Sequence, residues 1–288
     1  MKGLIITNPF DVNMSQRHKT RRMASELDNL GVFVDVVAND NFLAYIDNGE
    51  VTSDLKADFA LYFDKDKYVA EMLEKCGIRV FNSARATEIC DDKMLTHITL
   101  ASCGIPMPTT LSGALCYNSQ GKISWQYLKR AADKLGFPLI VKECYGSFGE
   151  QVYLVRDMNE LAETVERIKC KPYVFQRFVK ESAGRDMRVI VIGGKVIGGM
   201  IRQSKGDFRS NVKLGGMATA CDVPENIAAL CERAAKIIGL DYCGIDVLLG
   251  DVPQICEVNS NAMFSAMEQA TNINVARKYA EHIVKTIK

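Results

Sequence analysis

Residues 244–261 read Gly-Ile-Asp-Val-Leu-Leu-Gly-Asp-Val-Pro-Gln-Ile-Cys-Glu-Val-Asn-Ser-Asn, and this stretch decides the fold. Two β-rich runs flank the turn-forming residues 250–253, which predicts a pair of antiparallel strands. If Asp251 and Val252 form the turn, Asp246 lies opposite Glu257, and the two-residue period puts Asn259 on the same face. Three oxygen ligands would then converge there.

Two carboxylates opposed in a sheet raise each other's pKa unless a cation lies between them. Carboxylate and amide oxygens are ligands that suit Mg²⁺ or Mn²⁺. We therefore predict a metal site made of Asp246, Glu257 and Asn259. A solvent-facing hairpin with ordinary polar residues is the alternative for this pattern taken alone, and the rest of the chain has to decide between them.

The composition is that of a globular protein with two or three domains: 288 residues, 48% of them hydrophobic. No run approaches the roughly 18 apolar residues of a membrane span, and residues 1–6 are too short for the apolar part of a signal peptide, so we expect a cytoplasmic protein. Lysine and arginine total 36 against 35 acidic residues, which gives no reason to expect nucleic acid or a membrane as partner. Ten cysteines without a Cys-x-x-Cys pair indicate neither a zinc site nor a disulfide framework.

The first 90 residues alternate strands and helices, which predicts a small parallel α/β domain. The predicted strands cover residues 2–7, 32–37, 59–63 and 79–81, and the predicted helices cover residues 15–30 and 67–75. A Gly-x-Gly-x-x-Gly sequence is missing, so a dinucleotide site is not expected despite the Rossmann-like order. The loop at residues 8–13 is a weak candidate for contacting substrate, and a plain connection is the alternative.

The middle of the chain contains a glycine loop between two predicted strands. A helix is expected from Asp91 to about Cys103, then a boundary near residues 91–108, and a second helix over residues 125–135. Strands over residues 139–143 and 152–155 enclose Gly146-Ser147-Phe148-Gly149. Backbone N–H groups of such a loop, with the Lys142 ammonium, can bind phosphates, although the Walker A ending is missing. A hairpin with a glycine turn is the alternative.

Six motifs occur in the order and spacing of the ATP-grasp superfamily, over the whole chain. They are Asp92-Lys93, Lys142 with the glycine loop, Gln176-Arg177-Phe178-Val179, Gly184-Arg185-Asp186-Met187-Arg188, Phe208-Arg209-Ser210-Asn211, and Asp246 with Glu257-Val258-Asn259. Within that superfamily the chain most resembles the RimK-type amino-acid ligases, which extend a carboxylate by amide bonds to glutamate or a related amino acid. The resemblance implies an α/β ATP-grasp fold: an N-terminal domain (1–90), a central lobe (91–175) and a C-terminal lobe (176–288) that clasp ATP.

The resemblance also implies roles for individual residues. Lys93, Lys142 and the loop residues Gly146, Ser147 and Gly149 would bind nucleotide phosphates, and Gln176, Arg177, Phe178 and Val179 would form the adenine hinge. Asp186 or Glu181 would take the ribose hydroxyls, and Arg209, Ser210 and Asn211 the transferred phosphate. Asp246, Glu257 and Asn259 would carry two Mg²⁺ or Mn²⁺ ions. Phosphoryl transfer depends on positioning and charge neutralisation, so this set of side chains suits it.

A basic cluster precedes the metal trio: Arg188, Arg202, Lys205, Arg209 and Lys213. Alone, such a cluster indicates a solvated face or an RNA-binding patch. A hairpin around Gly193-Gly194 would place Asp186 and Arg188 on one face bordering a cleft. With the metal trio downstream, we predict Arg209 for the chemistry, Arg188 and Arg202 as catalytic substrate clamps, and Lys205 and Asn261 as further substrate contacts.

The chain departs from ribosomal-protein-modifying members just after Asn259. Those proteins continue with a Ser-Pro-Gly-type sequence, whereas this chain reads Ser260-Asn261-Ala262-Met263-Phe264. The acceptor could therefore be a small-molecule, peptide or protein carboxylate. A dipeptide or D-alanine-type ligase and a non-catalytic nucleotide-binding regulatory protein are the alternatives, and the family implies a possible homo-oligomer.

Overall fold

The structure is a computed structural model that describes residues 2–10, 14–210 and 216–288. Its N-terminal sheet has the order β2-β1-β5-β6, and all neighbouring strands are parallel, as predicted. The strands are β1 (Gly3–Thr7), β2 (Val34–Ala38), β5 (Phe59–Phe63) and β6 (Arg79–Phe81). Helices α1 (Met14–Asp28) and α2 (Lys67–Lys75) connect them. The alternation of strand and helix therefore produced the expected parallel sheet.

A two-stranded hairpin between β2 and β5 was not expected. Strands β3 (Ala44–Asp47) and β4 (Glu50–Ser53) pair antiparallel around Asn48-Gly49. Both turn residues have positive φ, 49° and 85°, which is the conformation that makes Asn-Gly the preferred two-residue hairpin turn. The dipeptide was the available signal for this hairpin.

The predicted helix from Asp91 to Cys103 is wrong in its bounds. Asp91 ends α3 (Ala84–Asp91), and α4 (Lys93–Leu100) begins after Asp92. Asp92 has extended φ and ψ of −96° and 109°, and its carboxylate accepts hydrogen bonds from the backbone N–H groups of Met94 and Leu95. The acidic pair is therefore divided between two helices, because an N-cap residue is not itself helical.

The central sheet has the order β7-β10-β8-β9. It comprises β7 (Thr110–Ser112), β8 (Leu139–Glu143), β9 (Val152–Val155) and β10 (Tyr173–Arg177), all antiparallel to their neighbours. Helices α5 (Trp125–Leu135) and α6 (Met158–Ile168) contribute Leu128, Leu161 and Val165 to a core of its own. The predicted lobe boundary after residue 175 falls inside β10.

The C-terminal sheet has five antiparallel strands in the order β13-β12-β11-β14-β15. They are β11 (Arg185–Ile192), β12 (Lys195–Gln203), β13 (Met217–Cys221), β14 (Tyr242–Leu248) and β15 (Gln254–Asn259), with α7 (Glu225–Ile238), α8 (Ser265–Thr271) and α9 (Val275–Ile287) around them. Residues of α8 and α9 share one core with β1, β5 and α1. The N-terminal and C-terminal sheets are therefore packed together. No helix in the described part of the chain combines the length and apolarity needed to cross a bilayer.

Candidate active site

A cavity of about 620 Å³ is lined by residues from all three of these sheets. That volume suits a small-molecule ligand. It brings together most of the residues predicted from the sequence. They are Lys93, Lys142, Gly146, Ser147, Gly149, Gln176, Arg177, Phe178, Val179, Asp186, Arg188, Arg202, Arg209, Ser210, Asp246, Glu257, Asn259 and Asn261.

The metal trio is gathered on the hairpin of β14 and β15. Asp246 pairs with Glu257 and Gly244 pairs with Asn259, so the predicted register is confirmed at these positions. The pairing nearer the turn differs from the prediction. Val247 pairs with Ile255, and the register shifts between Asp246 and Val247. One extra residue in β15 offsets a turn that is longer than two residues.

Asp246 is buried and held by two arginines. Arg188 bonds its carboxylate through Nε and through Nη2, the latter at 2.7 Å, and Nη2 of Arg202 lies 2.9 Å from Oδ2. Burial alone would raise the pKa of the Asp246 carboxyl, but the charges of both arginines outweigh it and lower the pKa. The two arginines therefore already supply, at Asp246, positive charge of the kind that the opposed carboxylates were predicted to require.

Arg202 also links Asp246 to Asp186. Its guanidinium bonds both carboxylate oxygens of Asp186, and the Ser210 hydroxyl donates to the same group at 2.5 Å. These charges raise the pKa of the buried Arg202 guanidinium even though burial opposes that shift. Asp186 thus belongs to the charge network at Asp246, and its predicted ribose contact stays a prediction.

Glu257 and Asn259 offer oxygens that this network does not use. Within the described residues Glu257 takes part in no ion pair, and both side chains line the cavity beside Asp246. No group of three or more His, Cys, Asp or Glu gathers in the described ranges, which agrees with a trio that contains only two carboxylates and an amide. This oxygen-only donor set fits a hard divalent cation.

Two lysines, Lys93 and Lys142, also line the cavity. Lys93, at the start of α4, donates to the carbonyls of Cys144 and Gly146 at 3.3 and 3.2 Å. Lys142 of β8 lies 3.3 Å from the Cys256 Sγ. Neither ammonium has a carboxylate partner among the described residues, so both positive charges are available to an anion in the cavity.

The glycine loop contacts the N-terminal part of the protein through Lys65 and the C-terminal part through Arg209. Arg209 donates from Nη1 to the Gly149 carbonyl at 2.7 Å, and Lys65 lies 3.2 Å from the Ser147 hydroxyl. Gly149 has a φ of 77°, which favours glycine at this turn. Arg209 is also paired with Asp207 at 2.7 Å. Arg209, which was predicted to bind the transferred phosphate, therefore connects the glycine loop to the segment that follows β12.

Some predicted residues are not brought into the cavity. Glu181 is exposed on a short 3₁₀ turn, and Lys205 is exposed in the loop after β12; neither lines the cavity. Asn211 and Lys213 lie outside the described residues. The predicted contacts of Glu181 and Lys205 with ligands thus have no support in the described geometry.

Sequence reasoning missed a buried lysine behind the part of the cavity lined by Asn261 and Ala262. Lys19 of α1 is 1% exposed, and its ammonium donates to the Asn261 Oδ1 and the Ala262 carbonyl. It lies 4.3 and 4.9 Å from the ring centroids of Phe63 and Tyr242. The available signal was helical spacing, because Lys19 shares the inward face of α1 with the apolar residues Met23 and Leu27.

Gln16 was missed for the same reason and lies one turn before Lys19. It lines the cavity, is 4% exposed, and has a buried Oε1 without a hydrogen-bond partner among the described residues. A residue of α1 therefore presents an unused acceptor to the cavity.

The RimK-like ATP-grasp domain model matches residues 90–283. The chain belongs to this RimK-like ATP-grasp family. Human N-acetylaspartylglutamate synthase A is 37% identical over 228 residues, which are 78% of this chain and 57% of the relative. Human β-citrylglutamate synthase B is 39% identical over 223 residues, 76% of this chain and 56% of the relative. The RimK-like chain thus spans little more than half the length of these two relatives.

A probable α-L-glutamate ligase of Maridesulfovibrio salexigens is 34% identical over 222 residues, 75% of this RimK-like chain and 71% of the relative. Solved structures agree on the fold. The ATP-grasp ligase PsnB complexed with a minimal precursor superposes with a TM-score of 0.73 at 20% identity, covering 99% and 98% of the two chains. The D-alanine–D-alanine ligase of Bacillus anthracis complexed with ATP gives a TM-score of 0.75 at 19% identity, covering 100% and 97%. The predicted ATP-grasp fold is confirmed.

Proposed function

We propose that this chain is an ATP-dependent carboxylate–amine ligase that joins glutamate or a related amino acid to an acceptor carboxylate. One observation carries the proposal: Asp246, Glu257 and Asn259 share a cavity with Lys93 and Lys142, whose ammonium groups have no carboxylate partner among the described residues. Oxygen donors for a metal ion, together with cations for the phosphates, are what a metal-bound triphosphate requires. The division into residues 1–90, 91–175 and 176–288 and a cytoplasmic location belong to the same proposal.

Mg²⁺ or Mn²⁺ is the expected metal, held by Glu257, Asn259 and Asp246. When bound, it neutralises charge on the phosphates. Asp246 differs from Glu257 because two arginines already balance its charge. Glu257 is therefore the trio's carboxylate with the least competition for a cation.

The proposed reaction has two steps. An acceptor carboxylate oxygen attacks the γ-phosphorus of ATP, and the bond from that phosphorus to the β–γ bridging oxygen breaks. ADP departs, and the acceptor is now an acyl phosphate. The amine of the incoming amino acid then attacks the acyl carbon, loses a proton, and expels inorganic phosphate, which leaves an amide bond. Lys93 and Lys142 would hold the phosphates in place, and Arg209 with the glycine loop would cover the transferred group and exclude water.

Arg188 and Arg202 line the same cavity. Arg188 bonds Asp246 through Nε and Nη2, and no hydrogen bond among the described residues uses its Nη1. We propose that this remaining donor orients a substrate carboxylate. The segment 260–264, which Lys19 holds in place, would border the acceptor.

The relatives' names suggest concrete probes. Purified protein would be incubated with Mg²⁺, ATP and glutamate, together with N-acetylaspartate or citrate, and both ADP and the amide product would be measured. We expect ADP release that depends on glutamate and on an acceptor, and its loss in Glu257→Gln. Release of ADP without a new amide under every acceptor tested, including short glutamate peptides, would contradict the proposal.

Two alternatives predict other results in this assay. A D-alanine-type ligase would form a dipeptide from D-alanine and ignore glutamate, and product mass separates the two. A regulatory protein would bind ATP without any amino-acid-dependent release of ADP. The intact set of metal ligands and phosphate-facing lysines favours the ligase over the regulatory protein.

A further inference from the structure

Two neighbours of the Gln176 side-chain amide, Thr110 and His97, leave it only one orientation. Gln176 lies on β10, is 2% exposed and lines the cavity. Its Nε2 lies 2.8 Å from the Thr110 Oγ1 and 3.1 Å from the His97 Nε2. The Thr110 hydroxyl donates its single proton to the Pro108 carbonyl at 2.9 Å, so its oxygen accepts from Gln176. The nitrogen of the amide therefore faces Thr110 and His97.

His97 completes this arrangement as an acceptor. Burial, with a smaller contribution from the Lys142 charge, lowers the pKa of His97 to about 4, so the imidazole is neutral at pH 7. Its Nδ1 lies 3.2 Å from the Met107 sulfur, a weak acceptor, which leaves the Nε2 lone pair for Gln176. Both N–H groups of the Gln176 amide are thus used inside the protein.

The remaining oxygen of the amide is the group that a ligand can meet. No hydrogen bond among the described residues reaches the Gln176 Oε1, and the residue belongs to the cavity lining. A carbonyl oxygen in this place accepts from an N–H group and is repelled by another carbonyl oxygen. Purine nucleotides differ at this point, because adenine carries a 6-amino group and hypoxanthine a 6-keto group.

We propose that His97 and Thr110 are positioning residues that fix the Gln176 amide so that the cavity selects a 6-amino over a 6-keto purine nucleotide. The inference rests on the proposed use of ATP and adds how the base is discriminated. Rotation of the amide would place its oxygen against two acceptors, and the Thr110 proton would have to leave Pro108. A buried mismatch of this kind corresponds to a discrimination of about 10–100-fold.

Binding of ATP and of inosine triphosphate, measured by calorimetry with Mg²⁺ and without amino acid, tests the inference. Thr110→Val and His97→Leu each remove one acceptor, whereas Thr110→Ser and His97→Gln keep one at the same place. We expect both acceptor-removing variants to bind ATP more weakly and inosine triphosphate more tightly, which lowers the ratio about tenfold. Both acceptor-keeping variants, and Ser112→Ala further along β7, should keep the wild-type ratio.

The gain for inosine triphosphate separates positioning from damage to the fold, because a destabilised variant would lose affinity for both nucleotides. In the turnover assay, the acceptor-removing variants should have a higher KM for ATP and an unchanged kcat. A wild-type protein that binds both nucleotides equally, or a Thr110→Val variant with an unchanged ratio, would overturn this inference alone. Failure of the wild-type protein to bind any nucleotide would overturn the proposed function as well.

Discussion

Asp246 and Glu257 face each other in one hairpin but have different surroundings. Asp246 is 6% exposed and carries ion pairs to Arg188 and Arg202, whereas Glu257 has none among the described residues. Removing one member of a buried ion pair leaves an uncompensated charge and typically costs about 3–5 kcal/mol. Substitution of Asp246 should therefore lower both stability and activity, whereas substitution of Glu257 should lower activity alone.

We expect Asp246→Asn to lower the free energy of unfolding by about 3 kcal/mol, because Arg188 loses its ion-pair partner. Glu257→Gln should change it by less than about 0.5 kcal/mol. Both variants should lose ligase activity by on the order of 100-fold or more. Urea unfolding together with the ADP assay measures both quantities, and Asp251→Asn on the exposed turn is the control. Equal stability losses in the two variants would contradict the assigned ion pairs.

Lys19 makes a second prediction at the scale of a single residue. Burial lowers the pKa of Lys19 from 10.5 to about 7 in the folded protein. Between these values the unfolded chain binds more protons than the folded chain, so the free energy of unfolding attributable to Lys19 rises with pH. The penalty of its buried charge is present below pH 7 and disappears toward pH 10.

The measurement compares wild type with Lys19→Met, in which the other titrating groups cancel. From pH 7 to pH 9.5 the wild type should gain roughly 1–3 kcal/mol relative to the variant. A difference that stays constant with pH would show that Lys19 is not titrating in this window.

At the scale of elements, the hairpin of β14 and β15 shows what local patterns can predict. The two-residue period correctly placed Asp246 opposite Glu257, but a register shift and a longer turn lie between them. Two changes that each move the register by one residue cancelled. Turn-forming residues indicate where the chain reverses direction. They do not fix the length of the loop, because several loop lengths are compatible with the same residues.

The segment that carries Arg209 depends on Gly184, just before β11. Gly184 has a φ of 68°, and a Cβ there would lie 2.7 Å from the Asp207 carbonyl oxygen. Its own N–H donates to the Phe208 carbonyl at 2.7 Å, so the two segments are in direct contact. Any side chain at this position has to displace the backbone next to Arg209.

Gly184→Ala should therefore lower kcat about tenfold or more through the shift of Arg209. Gly194→Ala is a matched control, because Gly194 has a φ of 75° and nothing lies within 4 Å of its added Cβ. In urea unfolding, Gly194→Ala should lose about 1 kcal/mol of stability from the left-handed backbone, and Gly184→Ala should lose at least as much because its Cβ also meets the Asp207 carbonyl. Full activity in Gly184→Ala would contradict the role given to this segment.

At the scale of the whole molecule, the cavity depends on contacts that no local pattern contains. Lys19 bonds Asn261 across 242 positions of sequence, and Arg209 bonds Gly149 across 60. Local patterns identified the residues of the C-terminal hairpin, Lys142 and the glycine loop, because each is defined by its own short segment. The family resemblance added Lys93, the hinge residues and Arg209.

Other residues could not be predicted at this scale. The roles of Lys19 and Gln16 depend on how the N-terminal and C-terminal sheets pack, and the role of His97 depends on how α4 packs against β10 of the central sheet. Their sequence neighbours indicate only ordinary helices. The exposure of Glu181 and Lys205 follows from their loops, whose course is set by tertiary packing rather than by spacing. Long-range packing thus decides which members of a motif reach the cavity.

The claim that ATP activates an acceptor carboxylate as an acyl phosphate can be tested most directly by following oxygen. An acceptor that shows turnover, with N-acetylaspartate and citrate as the first probes, would be labelled with ¹⁸O in its carboxylates and incubated with Mg²⁺, ATP and glutamate. Mass spectrometry of the inorganic phosphate should then show one ¹⁸O atom per amide bond formed, and none should be transferred by Glu257→Gln. Unlabelled phosphate beside a labelled amide product, or label recovered in AMP, would contradict the mechanism.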